Sequence, residues 1–360
     1  MPQPKKILFI SCSAGAGHVR AAEALLLTCR AKYPQIKSAH IDIMDYSGGL
    51  FGKSITSSYH FLARHLPNIY GLLYQMFDFS KSPDVLNKIS SLLKINLRKL
   101  NKFIREYQPD QIFCTHFLAS AFANQYADKI PTDFLITDYE INRICLAPQI
   151  RYFFVPSEEI KNELVGLGKQ AFFTGIPIHP EFLKEKNVEE LKNNWRINNG
   201  WPTILILTGG MGLIDPVPFA KEIIDNLKKI NLIVVAGKNN KKTLKELGEL
   251  KSTSINYRII TFTAKIDELM RLADVILTKP GGLSVTETLF LQKPVLLSLP
   301  IPGQEEANVR FVEKNNSGRQ IPELNKIAGA LQEIIRRPDV FMKPNLPKLS
   351  AEEILKKILS

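Results

Sequence analysis

Short apolar runs alternate with helical stretches along almost the whole chain, and this alternation limits the fold more than any other feature. In the first half the runs are KILFISC (6–12), SAHIDIM (38–44), QIFCT (111–115), DFLIT (133–137), RYFFV (151–155) and QAFFT (170–174). In the second half they are TILILT (203–208), NLIVVA (231–236), NYRIIT (256–261), DVILT (274–278) and PVLLSL (294–299). Most are continuously apolar, as strands covered on both faces must be. Strands separated by helices pair in parallel, through right-handed crossovers. The expected class is α/β, doubly wound, and the length of 360 residues predicts two such domains.

Residues 176–202 hold Pro177, Pro180 and Pro202 among polar residues and read as a linker and hinge. They divide a first domain (1–175) from a second (203–340), and residues 341–360 read as a tail ending in a short helix. Open α/β sheets bind ligands beyond the carboxyl ends of their strands, so a cleft between the domains is the expected site.

The net charge is +12, from 47 basic and 35 acidic residues. Such a balance suits nucleic acid, an anionic membrane or an anionic substrate, and does not choose among them. Cys12, Cys29, Cys114 and Cys145 form no C-x-x-C pair, which argues against a metal or redox site. Cys12 and Cys114 lie in strand-like runs, as reduced, buried thiols of a cytosolic protein would. The apolar part of MPQPKKILFIS is too short for a signal peptide, and no run approaches a membrane span. Any membrane contact is expected to be peripheral.

Residues 50–107 hold no clear strand. Ser82-Pro83 opens a helix, after which Leu86, Ile89, Leu93, Leu97, Leu100 and Ile104 recur at helical spacing. Lys88, Arg98, Lys99, Lys102 and Arg105 take other positions, beneath an aromatic-rich stretch upstream. The stripe reads as core, and the basic face either as solvated or as a surface resting on anionic lipid.

In SAGAGHVRAAEAL, Gly15 and Gly17 turn the first strand into a helix whose N-terminus favours anions. GAGHVR partly matches the dinucleotide fingerprint, but Arg20 stands at its third glycine, and no G-K-[ST] follows. Asp42 could mimic the ribose-binding acid of a nicotinamide enzyme. His18 is either a helix-cap residue without chemistry or an imidazole able to take a proton near neutral pH. In TKPGGLSVTET, Gly281 and Gly282 form a corner before a helix beginning near Leu283, with Ser284 and Thr286 in its first turn. Backbone amides and hydroxyls there suit a diphosphate, and Glu287 suits a ribose. Gln304 and Glu305 lie on a proline-bounded loop suited to sugar hydroxyls, and TGGMG (208–212) is another glycine corner, with Gly210 at its centre.

The segments SAGAGHVRAAEAL, LITDYE, FTGIPIHPEF, TKPGGLSVTET and PIPGQEEANVRFV resemble the lipid-directed glycosyltransferases. These include processive diacylglycerol glucosyltransferases and plant-type monogalactosyldiacylglycerol synthases, with the lipid I N-acetylglucosaminyltransferase a more distant relative. The likeness runs from Ile7 to about Gly318. It implies a GT-B fold, with two Rossmann-like domains facing a central cleft, and an inverting, metal-independent transfer from a UDP-sugar. The resemblance makes His18 the base and places Gly17 and Asp138 at the acceptor. It places Gly281, Gly282 and Ser284 near the donor phosphates, Glu287 at the ribose, Gln304 and Glu305 at the hexose, and Phe262 beside the uracil, with Gly210 also counted among the donor-binding residues.

The implied partners are a UDP-hexose, diacylglycerol or its glycosides, and an anionic membrane met through Lys88, Arg98, Lys99, Lys102 and Arg105. No cofactor and no nucleic acid are expected, and the implied location is the inner face of the cell membrane. Many relatives carry a histidine and a tryptophan after TDY, where this chain has Asn142 and Cys145, so the acceptor pocket differs. His179 reads first as a hinge residue. The remaining alternatives are a lipid I-type transferase, a nicotinamide-dependent oxidoreductase, and a non-catalytic sugar-nucleotide or lipid sensor.

Overall fold

The structure is a computed structural model that describes residues 6–13, 15–47, 91, 93, 96–209, 214–237, 241–298, 300, 302–303, 305–321, 323–338, 341 and 350–360. It divides into two compact units, each built on one six-stranded sheet.

The first unit runs β1 (Lys6–Ser11), α1 (Ala16–Lys32), β2 (Lys37–Asp42), α2 (Arg98–Tyr107), β3 (Gln111–Cys114) and α3 (Phe117–Ala123). It continues with β4 (Thr132–Leu135), β5 (Phe153–Val155), α4 (Glu158–Gly166) and β6 (Ala171–Phe173). All strands are parallel, in the order β2-β1-β3-β4-β5-β6. Burial follows from composition: Ile7 through Ile10 and Phe153 through Val155 are fully enclosed. Leu93, Leu97, Leu100 and Ile104 of the expected helical stripe pack into the same core.

One charge is deliberately housed there. Asp133 on β4 is buried, and Arg151 grips it through two hydrogen bonds of 2.9 and 2.7 Å, with Gln111 of β3 donating at 2.5 Å. Burial raises the Asp133 carboxyl above its ordinary range, against the pull of these donors.

The second unit opens with α5 (Val188–Asn194), whose first amides are capped by Asn187. Then follow β7 (Thr203–Leu207), α6 (Val217–Asn226), β8 (Ile230–Val235), α7 (Lys241–Glu249), β9 (Ile255–Ile260) and α8 (Ile266–Leu272). The chain goes on through β10 (Val275–Thr278), α9 (Gly282–Phe290), β11 (Val295–Ser298), α10 (Glu306–Lys314), β12 (Gly318–Ile321) and α11 (Ile327–Arg336). The order is β12-β11-β10-β7-β8-β9, again parallel. Strand β12 has no counterpart among the apolar runs, because its Arg319 and Gln320 are polar and only partly buried at the sheet edge.

Residues 181–202, with a linker-like composition, group with the second unit. Lys186 reaches Asp267 of α8 at 2.7 Å, and Trp195 donates to Glu268 at 2.8 Å. The last helix, α12 (Ser350–Leu359), groups with the first unit. It packs on α1, where Glu352 pairs with Lys32 at 3.2 Å.

In each sheet the chain reverses its direction of growth once. The switch lies between β1 and β3 in the first sheet and between β7 and β10 in the second. The loops leaving the carboxyl ends of these strands are the places where a doubly wound sheet opens a ligand crevice.

Candidate functional site

The corner at the end of β1 places His18 in the first turn of α1, whose N-cap is Gly15 in extended conformation. His18 is partly exposed. Its Nδ1 lies 2.7 Å from the carbonyl oxygen of Thr115, just beyond β3, and 2.8 Å from the hydroxyl of Thr137, just beyond β4. Thr115 Oγ1 in turn donates to the His18 carbonyl at 2.9 Å. Loops from three adjacent strands therefore meet at this imidazole, beside the switch point of the first sheet. A carbonyl oxygen can only accept, so the contact with Thr115 requires the proton on Nδ1 and the lone pair of the neutral ring on Nε2.

A second imidazole forms one wall. The His116 ring stands edge-on to His18, with centroids 4.5 Å apart and planes at 89°. His116 is buried and caps α3 by accepting the Leu118 amide at Nδ1, 3.1 Å away. Burial, and then the nearby His18 charge, push its pKa well below the ordinary histidine value, so it stays neutral.

Other predicted residues of this unit fall around the same edge. Gly17 lies beside His18 in α1, and Asp138 follows Thr137 and is partly exposed. Asp42 is drawn into the loops: its Oδ1 accepts from the Ser13 amide at 3.1 Å and the Met44 amide at 2.9 Å. Arg98, Lys99, Lys102 and Arg105 are all exposed on α2, opposite buried Leu100 and Ile104, and Lys102 pairs with Glu106 at 3.7 Å. Cys145 is partly buried within a short helical turn capped by Asn142, which accepts the Ile144 amide at 3.0 Å.

The second unit gathers a different set at its own switch point. Gly281 is the N-cap of α9, Gly282 its first residue, and Ser284 is partly exposed in the first turn. Thr286 instead turns its hydroxyl back onto the Gly282 carbonyl at 2.8 Å, and Glu287 is buried. Lys279, between β10 and the glycines, forms an ion pair with buried Glu305. A methyl group placed on Gly209, after β7, would lie 3.5 Å from Lys279 Cε. One placed on Gly281 would lie 3.8 Å from both Lys279 Nζ and Glu305 Oε1. Asn308 holds the loop by donating to the Pro280 carbonyl at 2.8 Å. Among the described residues the result is a glycine-lined corner with a helix N-terminus, a feature that attracts phosphate, beside the ion pair of Lys279 and Glu305.

Phe262 lies past the end of β9 and is 76% exposed, so its ring is not part of the core. Gly210, Gln304 and Lys88 lie outside the described residues. Among the described residues no cluster of histidine, cysteine, aspartate or glutamate could hold a metal ion, and no helix is long and apolar enough to cross a membrane.

Thr115, His116, Thr137 and Lys279 were not singled out by sequence. A signal exists: Thr115 and Thr137 each close an apolar run, QIFCT and DFLIT, and Lys279 stands between a strand and a glycine pair.

Comparison with known proteins gives these features a class. The neighbours in fold include the UDP-GlcNAc 2-epimerase of Neisseria meningitidis bound to UDP-GlcNAc, at a TM-score of 0.64 and 16% identity, covering 98% of this chain and 99% of the other. Acinetobacter baumannii MurG matches at a TM-score of 0.58 and 13% identity, over 99% of both chains. With residues 203–355 matching the glycosyltransferase family 28 C-terminal domain, the protein is a glycosyltransferase of GT-B fold. Residues 18–178 match the model of the monogalactosyldiacylglycerol synthase family. The chain is 26% identical to the processive diacylglycerol β-glucosyltransferase of Bacillus subtilis (strain 168), over 99% of this chain and 95% of the relative. That of Bacillus mycoides (strain KBAB4) is also 26% identical, over 98% and 89%. These matches set aside the nicotinamide reading, and the two loop contacts of Asp42 give that acid a local task.

Proposed function

We propose that the protein transfers a hexose from a UDP-sugar to the hydroxyl of a membrane lipid, 1,2-diacylglycerol or a glycosylated diacylglycerol. The transfer inverts the anomeric carbon, needs no metal cofactor, and occurs on the cytoplasmic face of the membrane. The observation that carries this reading is the His18 ring at the switch point of the first sheet, with its lone pair on Nε2. The names of the relatives, processive diacylglycerol β-glucosyltransferases, support the acceptor, and the epimerase solved with UDP-GlcNAc supports the nucleotide.

In the proposed step Nε2 takes the proton of the lipid hydroxyl as that oxygen attacks the anomeric carbon. The bond from that carbon to the diphosphate oxygen breaks on the opposite face, and UDP leaves with the electron pair. Charge grows on the leaving diphosphate. The N-terminus of α9, with Gly281, Gly282, Ser284 and Lys279, supplies amides, a hydroxyl and a cation for it. Glu287 would take the ribose, and Gln304 and Glu305 the hexose. Phe262 presents an exposed aromatic face for the uracil. Gly17 and Asp138 would line the acceptor, and Gly210 the donor.

The test offers UDP-glucose, UDP-galactose and UDP-N-acetylglucosamine in turn with diacylglycerol vesicles and reads products by mass spectrometry, with and without chelator. A hexosyl-diacylglycerol, formed equally with chelator present, is the expected product. His18→Ala should cut kcat by about 10²–10⁴-fold while UDP binding by calorimetry is retained. A near-normal rate in that variant would remove His18 from the chemistry. Transfer of N-acetylglucosamine to a polyprenyl-diphosphate lipid alone would establish the lipid I-type reaction instead.

A further inference from the structure

The contacts of His18 point past the residues already assigned, to the question of what holds a base in working form. In water a neutral imidazole exchanges between two tautomers, and only one of them has its lone pair on Nε2. Histidine bases are commonly fixed by a carboxylate on Nδ1. Here two uncharged oxygens from two neighbouring strands stand on that nitrogen, the Thr115 carbonyl at 2.7 Å and the Thr137 hydroxyl at 2.8 Å.

We propose that Thr137 is a positioning residue for His18: with the Thr115 carbonyl it brackets the Nδ1–H, fixes the tautomer with the lone pair on Nε2, and sets the plane of the ring. The inference rests on the reading of His18 as the base. It shifts attention within the TDYE loop to Thr137, whose hydroxyl oxygen lies 2.8 Å from Nδ1 of the His18 ring. Three features make the bracket stiff. Thr115 binds His18 twice, accepting through its carbonyl and donating through its hydroxyl to the His18 carbonyl. Thr137 is itself buried, so its hydroxyl has little room to swing away. His116 closes one side of the ring edge-on and is kept uncharged by burial, so the wall adds no second positive charge.

A bracket of neutral acceptors has a chemical consequence. The bracket itself carries no charge, so it orients the imidazolium formed during transfer through dipoles. The bracket therefore selects tautomer and direction more than it adds basicity.

The experiment uses the full chain labelled with ¹⁵N-histidine. Nuclear magnetic resonance reads the tautomer of His18 at neutral pH, assigned by the signal lost in His18→Ala. The wild type should show the proton on Nδ1. Thr137→Val, which keeps shape and removes the hydroxyl, should shift His18 toward a mixture and lower kcat about tenfold with KM unchanged. Thr137→Ser, which restores a hydroxyl, should recover both readouts. A wild-type His18 with its proton on Nε2, or identical tautomer and kcat in the valine and serine variants, would overturn the inference. The two readings fail separately. An active His18→Ala variant removes the base, and an Nε2-protonated ring in an enzyme that still needs His18 removes only the bracket.

Discussion

Asp42 and His116 show that a residue type does not declare its role until its neighbours are known. An acid at the end of the second strand fits a ribose contact in a nicotinamide enzyme, yet Asp42 organises its own loops through two amides. His116 adjoins the stretch 111–115 and carries no periodic signal, yet it walls the His18 ring and caps α3. Its buried, neutral state makes a pH prediction. A histidine whose folded pKa is depressed binds fewer protons folded than unfolded once the pH drops below the ordinary value. Its contribution is therefore complete above about pH 6.5 and is lost as pH falls further, by up to about 1.4 kcal/mol per pH unit. His40, also depressed by burial, acts in the same direction. Calorimetric melts of the full chain should show Tm falling between pH 7 and pH 5. His116→Asn keeps a capping oxygen and removes the titration, so its Tm should fall less steeply. Equal slopes in the two proteins would contradict the buried, neutral assignment.

At the scale of elements, the long apolar runs were legible because their period needs no partner to be read. Eleven of the strands coincide with such runs, and the stripe of Leu93, Leu97, Leu100 and Ile104 is buried as helical spacing required. Strand β12 was not legible: GRQI has the polarity of a loop and becomes a strand only by pairing with β11. Its first residue explains how that pairing fits. A Cβ on Gly318 would sit 2.0 Å from the Val295 carbonyl oxygen, closer than any real contact. Gly318→Ala should therefore force β11 and β12 apart and destabilise the protein by about 1–3 kcal/mol, the usual range for overpacking. Denaturant melts check this, and an unchanged midpoint would show that the edge yields easily.

At the scale of the molecule, the charge of +12 gains a location in part. Arg98, Lys99, Lys102 and Arg105 are exposed on α2, whose other face is anchored in the first core. If this face meets lipid, vesicle co-sedimentation should rise with the fraction of anionic lipid and weaken as salt shortens the screening length. Replacing the four by glutamine should flatten both trends without unfolding the chain. Binding that ignores lipid charge and salt would assign the positive surface elsewhere. The sequence by itself determined the class of fold, the number of sheets and the glycine corner that carries His18, because each is written in local period or local composition. The partners of His18 stand 97 and 119 residues away. Lys279 meets Glu305 across 26 residues. Such pairings were decided only by tertiary structure, because strand order and register, which no single segment encodes, bring distant loops to one edge of a sheet.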